Sequence, residues 1–157
     1  MYSSLSQLIT QADFPEQQYW HRQTFKTNDV IIREGDTDKH IYLIEQGTLI
    51  VTCDVDLAEA RQIRPGLSTL EPGQVFGEFC LFNDLPRSAT VSASTDGQLV
   101  VIDAGKLQQY MDAHPETGYE VMKEIYKTVV DRLNKSNKRV ENLLAWGLKV
   151  HGIDKHL

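Results

Sequence analysis

Between residues 76 and 93 the chain reads FGEFCLFNDLPRSATVSA, and several residues in that stretch have chemistry to offer. A helix opened at Gly77 presents free backbone N–H groups to an anion, and a residue without a side chain lets the anion come close. Arg87 can form a bidentate, charge-assisted pair with phosphate oxygens, a geometry that Lys would match only as a point charge. Ser88 adds a hydroxyl beside it. Glu78 accepts hydrogen bonds when ionised, so it suits a sugar hydroxyl rather than a phosphate. Each residue alone has a plainer reading: a Gly-Glu pair is often a helix cap, and an Arg after Pro is usually a solvated turn residue. Their joint occurrence in one short stretch favours a site for a small phosphorylated ligand.

The elements around that stretch are strands. Short β-branched and aromatic runs occur at VIIR (30–33), IYLIE (41–45), TLIVT (48–52), ATVSA (89–93) and QLVVI (98–102), each bounded by turn residues. Gln46-Gly47 and Asp96-Gly97 each join two runs so tightly that antiparallel hairpins are expected there. Many short strands with frequent glycine turns predict a mainly β fold, a barrel or jelly-roll, rather than βαβ units. Before them, Leu5, Leu8, Ile9, Phe14 and Tyr19 predict a helical lead-in within residues 1–20.

After Ile102 the pattern changes to helix. AGKLQQYMDAH forms a short helix that must end before Pro115, and Pro115-Glu116 opens a long one running to about Trp146, with Gly147 as its stop. On that helix Met122, Tyr126, Val129, Leu133, Ser136, Val140 and Leu143 alternate steps of four and three, the seam of a two-stranded coiled coil. A helix lying on its own β-domain explains the first turns equally well. The organisation expected is one domain: a helical segment 1–20, a β-roll 21–103, helices 104–146 and a tail 147–157.

Composition narrows the partners. The 157 residues carry 16 Lys+Arg against 22 Asp+Glu, a net charge of −6, and are 41% apolar. An acidic balance argues against a protein whose main partner is a nucleic-acid backbone. No stretch has the length of a membrane span or the pattern of a signal peptide, so no membrane partner and a cytoplasmic location are expected. Cys53 and Cys80 both lie inside apolar runs and are expected to be buried thiols. His21, His40, His114, His151 and His156 have no paired metal-ligand spacing, so neither a metal site nor an enzyme is expected.

The 76–90 segment resembles the phosphate-binding cassette of the cyclic nucleotide-binding domain family, of the catabolite activator and kinase regulatory subunit type. Phe76, Gly77, Glu78, Leu81, Pro86, Arg87, Ala89 and Thr90 match the family pattern without an insertion. REGD (33–36), IYLIEQGTL, LEPGQVFGE and the two closing helices follow in family order, so the likeness covers about residues 20 to 145. The fold it implies is the family's β-roll, a jelly-roll or double-stranded β-helix with flanking N- and C-terminal helices. The resemblance also implies that Arg87 binds the exocyclic phosphate oxygens, Glu78 holds the ribose 2′-hydroxyl, and Gly77 and Ser88 add phosphate contacts. Phe76, Phe79, Leu81, Pro86 and Ala89 complete the expected ligand-binding set.

RLNKSNKRVENL (132–143) is similar to the helix of the catabolite activator type, in which a hydroxyl pair contacts adenine across a dimer; Ser136 and Asn137 fall on that pair. Both offer acceptors to the adenine amino group, which favours cAMP over cGMP as the regulatory ligand. The ten residues after Gly147 cannot hold a helix-turn-helix unit, so no DNA partner is expected. The expectation is a stand-alone cyclic nucleotide receptor, homodimeric through 116–146, that signals to a separate effector protein. The alternatives are a cyclic di-GMP sensor on the same scaffold and a ligand-free dimerisation scaffold.

Overall fold

A computed structural model describes residues 4–53, 55–57, 61–63 and 66–150. The chain divides into two compact units, one ending at Val121 and the other beginning at Met122.

The first unit is built on two four-stranded antiparallel sheets. One has the order β1-β10-β3-β8 and the other β2-β9-β4-β7. Their strands are β1 (Trp20–Phe25), β2 (Val30–Ile32), β3 (His40–Gln46), β4 (Leu49–Thr52), β7 (Gly66–Leu70), β8 (Val75–Phe76), β9 (Thr90–Ala93) and β10 (Gly97–Asp103). A separate ribbon pairs β5 (Val55–Leu57) with β6 (Arg61–Ile63). Every strand of the two large sheets contributes to one buried cluster that includes Phe25, Ile32, Tyr42, Ile44, Leu49, Leu70, Phe76, Val91, Ala93, Leu99 and Val101. This is the jelly-roll expected of the sequence.

β3 and β10 are buried on both faces. Leu99 and Val101 lie in the cluster, while Val100 and Ile102, pointing the opposite way along the strand, are equally buried. That second face belongs to the helical side, where α2 (Ala104–Ala113) touches β10. The continuous apolar runs of these two strands are the mark of that double burial.

The two expected hairpins do not form. β3 pairs with β10 and β8, whereas β4 pairs with β9 and β7, so at Gly47 the chain leaves one sheet for the other. At Gly97 it returns in the same way. The two crossings meet: the Thr48 carbonyl accepts from Ser94 N (2.9 Å) and Thr95 N (3.3 Å), and Gln98 opposes Gln46. A two-stranded ribbon therefore bends as one body around this corner. A side chain at Gly97 would lie 2.2 Å from the Gln46 carbonyl and 2.5 Å from the Phe25 ring, which is why glycine stands there. Turn chemistry was readable in both dipeptides, but the pairing partner is set by the core.

The helical lead-in is also shorter than expected. α1 is Ser4–Leu8 only. The Thr10 hydroxyl donates to the Gln7 carbonyl (2.6 Å), and beyond it Phe14 is fully buried between the rings of Tyr19 and Tyr110. Pro15, following that anchor, disfavours helix at Phe14. α2 starts at an Asp103 cap that accepts from Lys106 N (2.9 Å) and ends before Pro115 as expected.

The second unit, from Met122, is the body of α3 (Pro115–Val150). Gly147 does not stop this helix. A lone glycine costs a helix about 1 kcal/mol but ends it only when its backbone turns left-handed, and Gly147 keeps a helical conformation. Leu133, Val140, Leu143, Leu144, Trp146 and Val150 are exposed along it.

Candidate functional site

The 76–90 segment leaves the core sheet and returns to the opposite one. β8 carries Phe76 into the core, stacked on Tyr42 with ring centroids 4.9 Å apart and planes at 11°. Phe76 is thus a core residue that fixes where the next residue emerges. Gly77 then turns left-handed, with φ 78°, and a single turn of 3₁₀ helix, Glu78–Leu81, follows. The short helix expected at Gly77 is this one turn. Leu81 and Cys80 face inward, while Phe79 and Phe82 are exposed.

Arg87 returns to Gly77 from ten residues on. Its Nη1 donates to the Gly77 carbonyl at 2.9 Å and its Nη2 to the His40 carbonyl at 2.7 Å. A Cβ at position 77 would sit 3.0 Å from Nη1 and 2.9 Å from the His40 carbonyl, so the glycine makes room for the guanidinium. Among the described residues, Glu78 and Arg87 are the buried charged residues, 5% and 8% exposed. Neither projects into bulk solvent.

The remaining edge of the guanidinium is taken by a residue the sequence reading did not single out. Asp38, in the loop before β3, receives Nε on Oδ1 at 3.1 Å and Nη2 on Oδ2 at 2.6 Å. Tyr42 donates its hydroxyl to the same Oδ2 at 3.3 Å, and His40 Nδ1 lies 3.4 Å from it. The hydrogen bond from Arg87 holds the Asp38 carboxyl below the usual carboxylate range, against burial, which pushes the other way. For Arg87, burial disfavours the charge, yet the hydrogen bond and charge of Asp38 outweigh it and the guanidinium stays protonated.

The backbone of Arg87 is held as firmly as its side chain. Its N–H donates to the Asp36 carbonyl (2.7 Å) and its carbonyl accepts from Gly35 N (2.8 Å), so the REGD turn brackets the residue. The Thr90 hydroxyl accepts from Glu34 N at 3.0 Å and extends that join. Pro86 and Ser88 are exposed on either side, and Ala89 is half-buried. Ser136 and Asn137 lie in the second unit, both exposed on α3. Cys80 is buried as expected, with its thiol pushed up by burial, but Cys53 is only half-buried at the end of β4. No cluster of His, Cys, Asp and Glu among the described residues could hold a metal ion.

Sequence comparison covers the same stretch of chain. Residues 22–114 match the profile of the cyclic nucleotide-binding domain. The chain belongs to that family. It is 37% identical over 82 residues to a cAMP-dependent protein kinase regulatory subunit from Mucor circinelloides f. lusitanicus, covering 52% of this chain and 18% of that one. It is 28% identical over 123 residues to the human potassium/sodium hyperpolarization-activated cyclic nucleotide-gated channel 1, covering 78% of this chain and 12% of that one. It thus spans less than a fifth of the length of either curated relative.

Solved structures share the fold. A cyclic nucleotide-binding domain from Methylobacillus flagellatus superposes with a TM-score of 0.71 at 22% identity, covering 79% of this chain and 67% of that one. The catabolite activator protein of Thermus thermophilus gives 0.66 at 22% identity, covering 80% and 55%. The F-G-E and Pro-Arg runs were visible in the sequence; Asp38 was not, because nothing local pairs it with a residue 49 positions away.

Proposed function

We propose that this protein is a receptor for a 3′,5′-cyclic nucleotide, cAMP in preference to cGMP, acting in the cytoplasm on a separate effector protein. The observation that carries the reading is the placement of two buried charged residues at one turn: Glu78 follows directly on Gly77, whose carbonyl Arg87 holds. A buried charge is retained only with a partner; Asp38 is that partner in this structure, and a cyclic phosphodiester has the charge and oxygens to take its place.

In this reading the phosphate takes the Nε/Nη2 edge of Arg87 in place of Asp38. Gly77 admits the ligand close to the backbone, Ser88 adds a hydroxyl, and Glu78 accepts the ribose 2′-hydroxyl. The ring of a 3′,5′-cyclic nucleotide uses both other ribose oxygens, which leaves that hydroxyl as the sugar's free donor. Phe79, Leu81, Pro86 and Ala89 are assigned to the apolar surround. Preference for adenine is assigned to the acceptors of Ser136 and Asn137. Ligand binding shifts the population of conformations at the cassette and repositions α3, through which, over 116–146, two copies associate.

Calorimetric titration tests the assignment. Micromolar binding of cAMP with weaker binding of cGMP is the expected result. Absence of binding to either overturns it, and preferential binding of cyclic di-GMP would replace it with the dinucleotide reading.

A further inference from the structure

We infer that His40 is a positioning residue for Asp38, and that it makes capture of a cyclic nucleotide by Arg87 a proton-linked event. The inference rests on the receptor reading above and adds a regulation of the same site. Its basis is the crowding of one oxygen. Asp38 Oδ2 faces three donors: Arg87 Nη2 at 2.6 Å, the Tyr42 hydroxyl at 3.3 Å and His40 Nδ1 at 3.4 Å. A carboxylate oxygen has roughly two lone-pair sites. The arginine fills one with a short bond, and the other two donors stand at the outer limit of hydrogen-bond length.

A phosphate that takes the Nε/Nη2 edge removes both of the bonds that Asp38 receives from Arg87. The carboxylate then has Tyr42 and His40 as its neighbours. Burial, and after it the charge of Asp38, push the Tyr42 phenol far above its ordinary range, so it shares a hydrogen but brings no charge.

The other titratable groups around His40 are already engaged. Lys39, next in the loop, pairs with Asp84. The Cys80 thiol, pushed up by burial, lies 3.5 Å from the His40 carbonyl and donates to the Gly77 carbonyl at 3.1 Å. His40 is therefore the neighbour able to replace the cation that Asp38 loses, by binding a proton. Its ring is 42% exposed, so that proton arrives directly from solvent.

The sign follows from linkage. The bound state holds more protons than the free state, so binding tightens as pH falls. Because the pair is part-exposed and screened, the uptake at pH 7 is a fraction of a proton, on the order of a few tenths per ligand, with about two- to threefold tighter binding at pH 6 than at pH 8. A residue that only packed against Asp38 would give neither effect.

The test is calorimetry of cAMP binding to the whole chain at pH 7 in Hepes and in Tris, whose different ionisation enthalpies convert proton uptake into a difference in observed heat. A heat difference that disappears in both His40→Gln and Asp38→Asn supports the inference. Equal observed heats in the two buffers for the unmutated protein overturn it and leave the receptor reading intact, as does an uptake that survives in either variant. No binding of cAMP or cGMP overturns both. Should the variants not fold, ring chemical shifts of His40 in the unmutated protein decide: the charged fraction must rise when cAMP is added, and an unchanged fraction refutes the handover.

Discussion

Arg87 and Asp38, 49 residues apart in sequence, are joined edge to edge, Nε to Oδ1 at 3.1 Å and Nη2 to Oδ2 at 2.6 Å. The geometry is the one a guanidinium adopts with a phosphate. In this structure a carboxylate of the chain itself fills the place proposed for the ligand's anion, so binding as proposed is an exchange of partners rather than the filling of a bare charge. Exchange keeps the ligand-free protein from burying an uncompensated cation.

Replacing Arg87 by Leu should cost about 2–5 kcal/mol of cyclic nucleotide affinity, the scale for removing one side of a buried charge pair. Arg87→Lys should recover only part of it, since an ammonium cannot serve Asp38 or a phosphate in two places along one edge. Both are read by calorimetric titration, alongside urea denaturation to establish that each variant folds. Wild-type affinity in Arg87→Leu would place the anion elsewhere.

Gly97→Ala should be the most damaging glycine substitution. Its Cβ would lie 2.2 Å from the Gln46 carbonyl, and the neighbouring Gly47, at φ 86°, meets Asp96 O at 2.7 Å. Displacing backbone on both crossings should remove about 3 kcal/mol or more of stability. Gly35→Ala and Gly73→Ala, at φ 88° and 85° with open space around them, should lose only the left-handed penalty of about 1–2 kcal/mol. Urea midpoints of the three variants give the ranking, and equal losses would refute the corner argument.

Acid should loosen the same corner. The Thr27 backbone N–H (2.8 Å), with Lys26 Nζ (3.0 Å) and the Thr27 hydroxyl (3.0 Å), holds the Asp96 carboxyl down to about 2. Asp38 is lowered in the same direction by Arg87. A folded-state value below the unfolded one gives stability that is complete above the ordinary carboxylate range of about 4 and is lost as pH falls toward the folded value. The urea midpoint should therefore fall between about pH 4 and pH 2, and Asp96→Asn should flatten part of that slope. An unchanged slope in the variant would deny Asp96 this role.

Association through α3 should depend on its exposed seam. Leu143→Glu places a charge in the two-stranded contact and should weaken self-association at least about tenfold without altering the β-roll. Light scattering after size exclusion measures it. A wild-type chain that is monomeric at about 50 μM, a concentration equivalent to only about 6 kcal/mol of association, would sink the dimer.

What the amino-acid sequence conveyed depended on how local the signal was. β3 and β10 were readable because burial on both faces writes an unbroken apolar run. β1, WHRQTF, was not, since only its end residues Trp20 and Phe25 are buried and the four between face solvent. The end of α2 was set by Pro115, a covalent constraint, whereas the end of α1 depended on Phe14 reaching Tyr110.

By itself the sequence determined the cassette: a glycine free to turn left-handed, a carboxylate next to it and an arginine ten residues on are properties of single residues at short spacing. The tertiary structure alone decided what the arginine holds and which strands pair. Both choices compare partners distant along the chain, and they are made by what the shared core can bury without leaving a charge or a backbone group unpaired. That is why Gly47 and Gly97 turn between sheets rather than within one, and why Asp38 stands where Arg87 needs an anion.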